Sequence, residues 1–473
     1  MFKFAEYSSP EEAGVSSAGL LAFMKGAEEL ASSFRFHSIV LLRHGKVVFR
    51  MNPAPYDDVT PHVLFSLSKS FTSAAAGFAV SEGLIRWDSS VVDILPEEVP
   101  EGRENELRGV TLETLLSMGS GLDPASDSPS PSEDVTWARH VLSHKLVWEP
   151  MTHFHYNTFG TYLVSCMIQK VTGQTVRDYL MPRLFDPLEI PKPDWDLSPQ
   201  GVCCGGFGLH LSADSIARFG QCLLQDGVWE GRRILPEGWV KLATSEHIAN
   251  YDGTPEYGNE WAQGYGFQFW RCMEGRYRGD GAFGQICMVD EAKDAVLAAT
   301  CGSNDMGIEY KLIRDTLWPA FDAPAASAEE QRELKEKLAT LAYSYPTDDG
   351  SDRPLPEGEF VTEFQGQKNT FSLHKDTDTD RIILTMRFGE FETLEMRFPR
   401  AVPDEVHCLT YMGFVQHYIG AYGWKNGKLY LTAYCPQCPD TMDGYFEWDE
   451  EHLYFHGLGV DIPGGDVTFG RIN

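Results

Sequence analysis

The hydrophobic pattern at the start of the chain predicts a helix followed by a β-hairpin. Between Ser9 and Glu29, apolar residues recur at helical intervals after Ser-Pro-Glu-Glu, a combination that is typical of a helix start. Two runs of mainly apolar residues, Ser38–Leu42 and Lys46–Arg50, then flank the turn dipeptide His44-Gly45. We expect these two runs to begin a central antiparallel sheet.

A second helical pattern begins beside Ser66. Apolar residues recur there at positions 65, 71, 74, 75, 78 and 79, and Gly83 stands where a left-handed C-terminal stop is expected. Further along the chain, the pattern predicts helices over Phe159–Val171 and Ala213–Leu224. Between these helices, Asp123–Glu133 contains three prolines with several serines and aspartates, so we expect a surface loop that borders a cleft.

The pattern returns to strands in the segment from Tyr265 to Thr300. Four stretches there alternate or run apolar between turn residues, and the first of them is Tyr265–Trp270. Tyr310–Phe321 then predicts a closing helix that packs back on the sheet. Helices and antiparallel strands in this arrangement indicate an α+β fold.

The last third of the chain has a different pattern. Ser327 and Glu330 have the spacing of a capping box and predict a helix that leads into a polar linker. The remainder predicts short strands only. We therefore predict three parts: a first domain over residues 1–324, a helix and linker over 325–352, and a separate antiparallel all-β domain, a barrel or sandwich, over 353–473.

Composition and charge narrow the classes of protein and partner. The chain has 473 residues, 42% hydrophobic and 12% aromatic, which suffices for large cores. Its formal net charge is −30 and its pI about 4.8, so we expect no nucleic-acid or membrane partner, because both require basic surfaces. Met1–Glu6 does not begin a signal peptide, and no apolar run approaches the roughly 18 residues of a membrane span. We expect a cytoplasmic protein.

The motifs of metal and cofactor sites are missing from the sequence. Ten cysteines are scattered without a framework spacing, which favours reduced thiols. Cys435-Pro436-Gln437-Cys438 stands alone, without the second pair or spaced histidines of a zinc site. The chain contains no glycine-rich phosphate loop, no His-Glu-x-x-His and no Gly-x-Ser-x-Gly. We therefore expect neither a metal nor a cofactor.

The candidate chemistry lies at Ser66, where Ser-x-x-Lys spacing places Ser66 and Lys69 on one helical face. A serine hydroxyl becomes a good nucleophile when a base takes its proton, and a lysine can be that base if burial lowers its pKa toward neutrality. Backbone N–H groups at a helix start also favour a developing oxyanion. The same spacing recurs at Ser372–Lys375, but a strand there would put the serine and the lysine on opposite faces.

Several landmarks along the chain resemble the serine β-lactamase and penicillin-binding protein superfamily, and among its members most of all the class C β-lactamases and their esterase relatives. The resemblance runs from about Pro10 to about Pro319. The landmarks are His44-Gly45-Lys46, Ser66–Ser70, Gly83-Leu84-Ile85, Leu112–Leu122, Tyr156, Val171-Thr172-Gly173, Pro187-Leu188 and Gly208–Phe219. The resemblance implies an antiparallel sheet flanked by helices, joined to a mostly helical subdomain, with the active site between them.

The resemblance also implies roles for individual residues. Ser66 would be the acylated nucleophile, Lys69 the base and electrostatic partner, and Tyr156 the residue that passes a proton to the leaving group. Thr158 stands where the family has Asn or Ser, and its hydroxyl is able to hydrogen-bond Lys69 or the substrate. The chemistry of Ser66, Lys69 and Tyr156 needs no histidine, so we expect the neighbouring histidines at positions 153, 155 and 210 to be structural.

A late motif departs from the family pattern. Gly279–Gly284 aligns with the strand on which relatives carry Lys or His, and it places Asp280 at that position, followed by Gly281. Because the family's cation helps to hold a substrate carboxylate, an aspartate would repel one; the alternative is that Asp280 only forms a Gly-Asp-Gly turn. On the same alignment, the N–H of Phe283 would be the second oxyanion donor, beside that of Ser66.

These observations support a serine hydrolase that cleaves a small ester or amide through a Ser66 acyl-enzyme. One alternative is cleavage of a β-lactam or a D-amino-acid peptide, by a β-lactamase or a carboxypeptidase. A second alternative, from another class, is a non-catalytic binding module that keeps the fold. The sequence leaves open whether the C-terminal β-domain covers the cleft or mediates homo-oligomerisation.

Overall fold

A computed structural model describes residues 2–364, 367–388, 393–411, 414–458 and 466–471. It contains a six-stranded antiparallel sheet with helices on both faces, and a separate all-β C-terminal domain. Its α-helices are Ser17–Glu29, Ser68–Ser81, Val91–Ile94, Glu104–Leu107, Leu112–Leu116, Trp137–Ser143, Thr158–Thr172, Val176–Leu180, Ala213–Leu224, Trp239–Thr244, Met306–Leu312 and Ala328–Ala339. In the described part of the chain, no helix is both long and apolar enough to cross a membrane. The predicted fold class is confirmed.

The central sheet joins the start of the chain to residues about 250 positions later. Across the sheet, its strands follow the order Lys46–Met51, Phe34–Arg43, Ala295–Ser303, Gln285–Asp290, Tyr277–Gly281 and Trp270–Arg271. Two short pairs lie outside it, His62–Val63 with His210–Leu211 and Val228–Trp229 with Arg232–Arg233. The predicted hairpin around His44-Gly45 forms the first edge of the sheet.

The continuous apolar run in the first strand results from burial of both faces of the sheet. Val40 and Leu42 belong to the core beneath the Ser68–Ser81 helix and the helical subdomain. Ile39 and Leu41 belong to a second core, against the first helix and the closing helix. Because successive strand residues point to opposite faces, a strand covered on both sides needs apolar residues at every position.

The prediction of a strand over Tyr265–Trp270 is wrong for most of its length, since a strand begins only at Trp270. Gln268 interrupts the segment with a left-handed φ of 65°. Its backbone N–H donates to the carbonyl of Leu116, and its own carbonyl accepts a hydrogen bond from the hydroxyl of Ser70. The backbone groups that a ladder would use are therefore committed to helices of the neighbouring subdomain.

The C-terminal domain is barrel-like and antiparallel. Its strands are Phe360–Phe364, Gln367–Asp376, Arg381–Phe388, Thr393–Pro399, Asp404–Tyr411, Phe414–Lys425, Lys428–Tyr434, Thr441–Trp448, His452–Gly457 and Asp466–Arg471. The first of these strands pairs with the last. Within Arg381–Phe388, alternate residues such as Ile382 and Leu384 are buried in the domain's own core, as expected for a strand that turns one face to a core.

The C-terminal domain contacts the first domain close to Ser66. The Val63 N–H, three residues before Ser66, donates to the Gln437 carbonyl at 2.8 Å. Arg35 of the central sheet pairs with Asp443 at 2.7 Å. The predicted helix after Ser327 packs on the N-terminal core, where Leu334 is buried. The division at residues 324 and 352 stays a prediction.

Candidate active site

Ser66 lies in a tight turn at the start of its helix. Phe65–Leu67 forms a 3₁₀ turn that continues directly into the Ser68–Ser81 helix, and the Leu67 N–H donates to the Leu64 carbonyl at 3.1 Å. Phe65 has a φ of 45°, a conformation that residues other than glycine rarely adopt. Backbone strain of this kind concentrates at functional sites. The partly exposed Ser66 thus stands where helix N–H groups are available to an oxyanion.

Lys69 is buried directly beneath Ser66. Its side chain is 1% exposed, and its Nζ lies 3.0 Å from the Ser66 hydroxyl oxygen. The same nitrogen lies 3.3 Å from the Thr158 hydroxyl and donates to the Gly206 carbonyl at 2.8 Å. These three oxygens define the surroundings of the amine.

This arrangement accommodates both protonation states of Lys69. The ammonium form donates to the oxygens of Ser66, Thr158 and Gly206. A neutral amine keeps two of these donors and can turn its lone pair to the Ser66 hydroxyl. Burial lowers the pKa of Lys69 from 10.5 to about 7, although the carboxylates of Asp127 and Asp280 act to raise it. Lys69 is therefore able to take a proton near neutral pH.

Tyr156 covers Lys69 from the helical subdomain. It lies two residues before the Thr158–Thr172 helix, and the Lys69 ammonium position is 4.8 Å from the centre of its ring. The same ring stacks on Trp270, with the ring centres 5.4 Å apart and an interplanar angle of 12°. Burial raises the pKa of Tyr156, and a hydrogen bond with Ser66 acts in the opposite direction. Its hydroxyl is therefore neutral and adjacent to Ser66.

Thr158 and the predicted surface loop meet at the rim of the cleft. Asn157 caps the helix that begins at Thr158 by accepting a hydrogen bond from the Gly160 N–H. Asp127, which is exposed in the loop over residues 123–133, accepts a hydrogen bond from the Phe159 N–H at 2.9 Å. The loop therefore borders the cleft, and the Asp127 carboxylate is close enough to act on the pKa of Lys69.

Two glycines allow the strand Tyr277–Gly281 to lie against the Ser66 turn. A Cβ atom at Gly281 would overlap the Leu64 carbonyl oxygen, and one at Gly279 would overlap the side chains of Ser70 and Leu67. Side chains at these two positions would therefore separate the strand from the turn. The Gly-Asp-Gly sequence is explained by this close approach.

Asp280 belongs to that strand and not to a turn, so the turn interpretation is wrong. The turn follows the end of the strand at Gly281 and covers residues 282–284. The side chain of Asp280 is 7% exposed, accepts a hydrogen bond from Arg278 Nε at 2.9 Å, and accepts another from the Tyr310 hydroxyl at 3.2 Å. Its charge is therefore balanced by a fully buried arginine, which weakens the expected repulsion of a carboxylate.

Phe283 lies at the tip of the turn that follows the strand. It has a left-handed φ of 63° and is 41% exposed, and its ring meets that of Phe65 edge-on, with the ring centres 5.1 Å apart. Phe65, which precedes Ser66, is thus in contact with Phe283, which carries the other candidate oxyanion donor, and both have left-handed backbones. The Gly284 N–H closes the turn on the Gly281 carbonyl at 3.2 Å.

The structure brings Ser66, Lys69, Tyr156 and Thr158 together with the strand and turn around Asp280 and Phe283. The structure does not assemble a second site of this kind at Ser372. The lysine of that Ser-x-x-Lys sequence, Lys375, forms an ion pair with Asp380 at 2.9 Å. A cavity of about 470 Å³ is lined by Lys375 and by residues 352–358. It contains none of the residues that surround Ser66.

Three contributors were not predicted from the sequence. The Gly206 carbonyl is a ligand of the Lys69 amine, Trp270 supports Tyr156, and Arg278 balances Asp280. Of these three, only Gly206 had a signal in the sequence, the adjacent pair Gly205-Gly206. The structure explains this glycine, since a Cβ atom at position 206 would collide with the Thr158 backbone. The histidines at positions 153 and 155 pack on Trp148. No group of three His, Cys, Asp or Glu residues in the described ranges is arranged to hold a metal ion.

An antiparallel sheet between two helical layers, with a serine and a buried lysine one helical turn apart at the cleft, defines a class of serine hydrolases. A family model described as Beta-lactamase matches residues 35–311, more than half of the chain. The chain therefore belongs to the β-lactamase family, and it is a serine hydrolase.

Two relatives and one solved structure illustrate this membership. The chain is 27% identical to penicillin-binding protein 4 of Amycolatopsis lactamdurans over 262 residues, 44% of this chain and 68% of that protein. It is 23% identical to 6-aminohexanoate-dimer hydrolase of Paenarthrobacter ureafaciens over 309 residues, 61% of this chain and 78% of that protein. The crystal structure of SurE matches 86% of this chain and all of its own, with 20% identity and a TM-score of 0.50. That coverage exceeds the N-terminal domain alone, so the likeness in fold extends into the β-domain.

Proposed function

We propose that the protein cleaves a small ester or amide through an acyl-enzyme on Ser66, with Lys69 and Tyr156 transferring protons. The observation that carries the proposal is the buried Lys69 amine 3.0 Å from the Ser66 hydroxyl, with its other neighbours placed to accept its two N–H bonds. A neutral amine held in this way directs its lone pair at the Ser66 proton.

The proposed reaction has two halves. Ser66 Oγ attacks the substrate carbonyl carbon while its proton moves to Lys69 Nζ, and the N–H groups of Ser66 and Phe283 stabilise the tetrahedral oxyanion. The proton then passes through the Tyr156 hydroxyl to the leaving oxygen or nitrogen as the bond to carbon breaks. Water attacks the resulting ester of Ser66, its proton returns by the same groups, and the acid is released with Ser66 restored.

The relatives support the breadth of the proposed substrate class. One is named as a hydrolase of the 6-aminohexanoate dimer and another as a penicillin-binding protein. Cleavage of β-lactams or D-amino-acid peptides is the second candidate within the same chemistry. A non-catalytic binding module is disfavoured, because burying a lysine amine is costly and the contacts of Lys69 suit proton transfer from Ser66.

A fluorophosphonate probe tests the proposal. We expect a covalent adduct on Ser66, identified by peptide mass spectrometry after proteolysis, because such probes react with activated serines. Ser372 is the internal control: it has the same Ser-x-x-Lys spacing but lies on a strand, and we expect it to remain unlabelled. If the probe labels a known relative and leaves Ser66 unmodified under the same conditions, the proposal fails.

The surroundings of Asp280 predict which substrates are preferred. Its position carries no cation, and the nearby Arg278 is fully buried behind it. A substrate carboxylate would therefore lose water in the cleft without gaining a charged partner, which costs about 1–3 kcal/mol. An uncharged ester avoids this cost, so the carboxylated ester should have a kcat/KM about 10- to 100-fold below that of its uncharged counterpart.

The measurement compares two esters that differ only in one carboxylate, together with D-amino-acid amides and a chromogenic cephalosporin. The matched pair isolates the effect of charge from that of the leaving group. Preference for the carboxylated ester or for the cephalosporin would contradict the prediction and favour the second candidate.

A further inference from the structure

A buried carboxyl group lies directly behind the turn that carries Phe283. Glu309, on the Met306–Leu312 helix, is 0% exposed, and its Oε2 occupies the space into which a Cβ atom at Gly284 would project. Gly284 follows Phe283 in the turn and has a φ of 88°. The carboxyl of Glu309 therefore lies against the turn at Gly284.

This carboxyl group is unpaired. Neither oxygen of Glu309 has a hydrogen-bond partner of normal geometry among the described residues, and the same holds for the nearby Ser303 hydroxyl. Burying a polar group without a partner is costly. Glu309 makes none of the contacts that hold Lys69 and Tyr156 in place. A glutamate at this buried position is therefore explained neither by those contacts nor by hydrogen bonds of its own.

The charged and titratable groups around Glu309 favour its neutral form. Burial raises the pKa of Glu309 to about 8, and Asp280 acts in the same direction, whereas the polar neighbour Ser303 and the charge of Arg278 act to lower it. Cys301 on the adjacent strand and Tyr310 on the same helix also face it, and both have raised pKa values, so they are uncharged near neutral pH. The carboxyl is thus protonated at pH 7 and ionises near pH 8.

The turn is held to the sheet by a buried side chain. The buried side-chain amide of Gln285 donates to the carbonyls of Ala282 and Phe283 and to the carbonyl of Cys301 on the adjacent strand. These bonds fasten the turn to the sheet. A charge on Glu309 would therefore act on a rigid turn, close to the Phe283 N–H and to the negative charge that develops on the substrate.

We propose that Glu309 is a positioning residue for the Phe283 turn, and that the turn supports acylation of Ser66 only while this carboxyl is uncharged. The proposal rests on the proposed function, because it assigns Phe283 as an oxyanion donor. It also explains why position 284 requires glycine: the left-handed φ and the carboxyl both exclude a side chain there.

The pH dependence of kcat/KM with an uncharged ester tests the proposal. For each protein, the quantity compared is the ratio of kcat/KM at pH 9.5 to that at pH 7.5. We expect the wild-type protein to lose roughly tenfold per pH unit above about pH 8, and Glu309→Gln, which cannot ionise, to keep a flat ratio. Asp305→Asn, an acid-to-amide change on an exposed residue that caps the same helix, is the control and should show the wild-type fall.

Two results would overturn the proposal: a wild-type profile that stays flat above pH 8, or an alkaline fall that persists in Glu309→Gln.

A second measurement does not depend on turnover. A carboxyl with a raised folded-state pKa contributes stability that is lost as pH rises toward 8, so the free energy of unfolding of the wild type should fall with pH more steeply than that of Glu309→Gln. Equal slopes would overturn the ionisation itself. If the wild type hydrolyses no ester, the proposed function fails while this second measurement still tests Glu309.

Discussion

Replacing Ser66 by alanine should abolish ester hydrolysis. The Ser66 hydroxyl is the proposed nucleophile, and the neighbouring Lys69 amine cannot form the acyl-enzyme in its place from its buried position. We expect kcat/KM to fall by about 10⁴-fold or more, as when the nucleophile of a serine hydrolase is removed. The thermal unfolding midpoint should change little, because the partly exposed Ser66 side chain fills no core space. The measurement is steady-state hydrolysis of a short-chain ester.

The matched control for this variant lies in the same chain. Ser372→Ala alters the other Ser-x-x-Lys sequence, on a strand of the β-domain, and should keep wild-type kcat/KM. If Ser66→Ala retained more than about a tenth of wild-type activity, or Ser372→Ala lost activity without unfolding, the assignment of the nucleophile would be wrong.

Replacing Lys69 by arginine should reduce kcat/KM by about 10³-fold, within the usual contribution of a general base. Arginine keeps the positive charge but cannot be deprotonated in proteins, so it cannot accept the Ser66 proton. Arginine also keeps N–H donors for the oxygens around position 69, and circular dichroism checks that the variant is folded. A variant with more than a tenth of wild-type activity would contradict the role of Lys69 as the base.

The wild-type pH profile gives an independent check on Lys69. Because burial lowers the pKa of Lys69 to about 7, the neutral amine forms as pH rises through that value, and kcat/KM should rise with it. An unperturbed lysine would place this rise near pH 10. Lys375→Arg is the control, since Lys375 pairs with Asp380 at the β-domain surface, and its profile should match the wild type.

The C-terminal domain has a direct connection to the Ser66 turn. Its Gln437 carbonyl binds the N–H of Val63, and the strand residue His62 hydrogen-bonds His37 of the central sheet at 3.1 Å. The domain therefore supports the strand that leads into the catalytic turn. This contact places it behind the turn as a structural neighbour of the site.

Much of the architecture was predictable because it depends on local patterns. The helix at Ala213–Leu224 has the predicted limits, and the Thr158–Thr172 helix ends at Gly173 in the left-handed conformation. Apolar spacing and glycine stops act over a few residues, so they can be read directly. The failure at Tyr265–Trp270 has the opposite cause: Gln268 satisfies its backbone groups on distant helices, and no local pattern records that.

The sequence by itself determined the fold class, the family and the candidate group of Ser66, Lys69 and Tyr156, because spacing along a helix and a set of landmarks suffice for these. Only the tertiary structure decided the electrostatics of the site. The burial of Lys69, its contact with Gly206, the pairing of Asp280 with Arg278 and the unpaired carboxyl of Glu309 all join residues far apart in the chain. Protonation states depend on burial and on neighbouring charges in three dimensions, and neither quantity is present in a linear pattern.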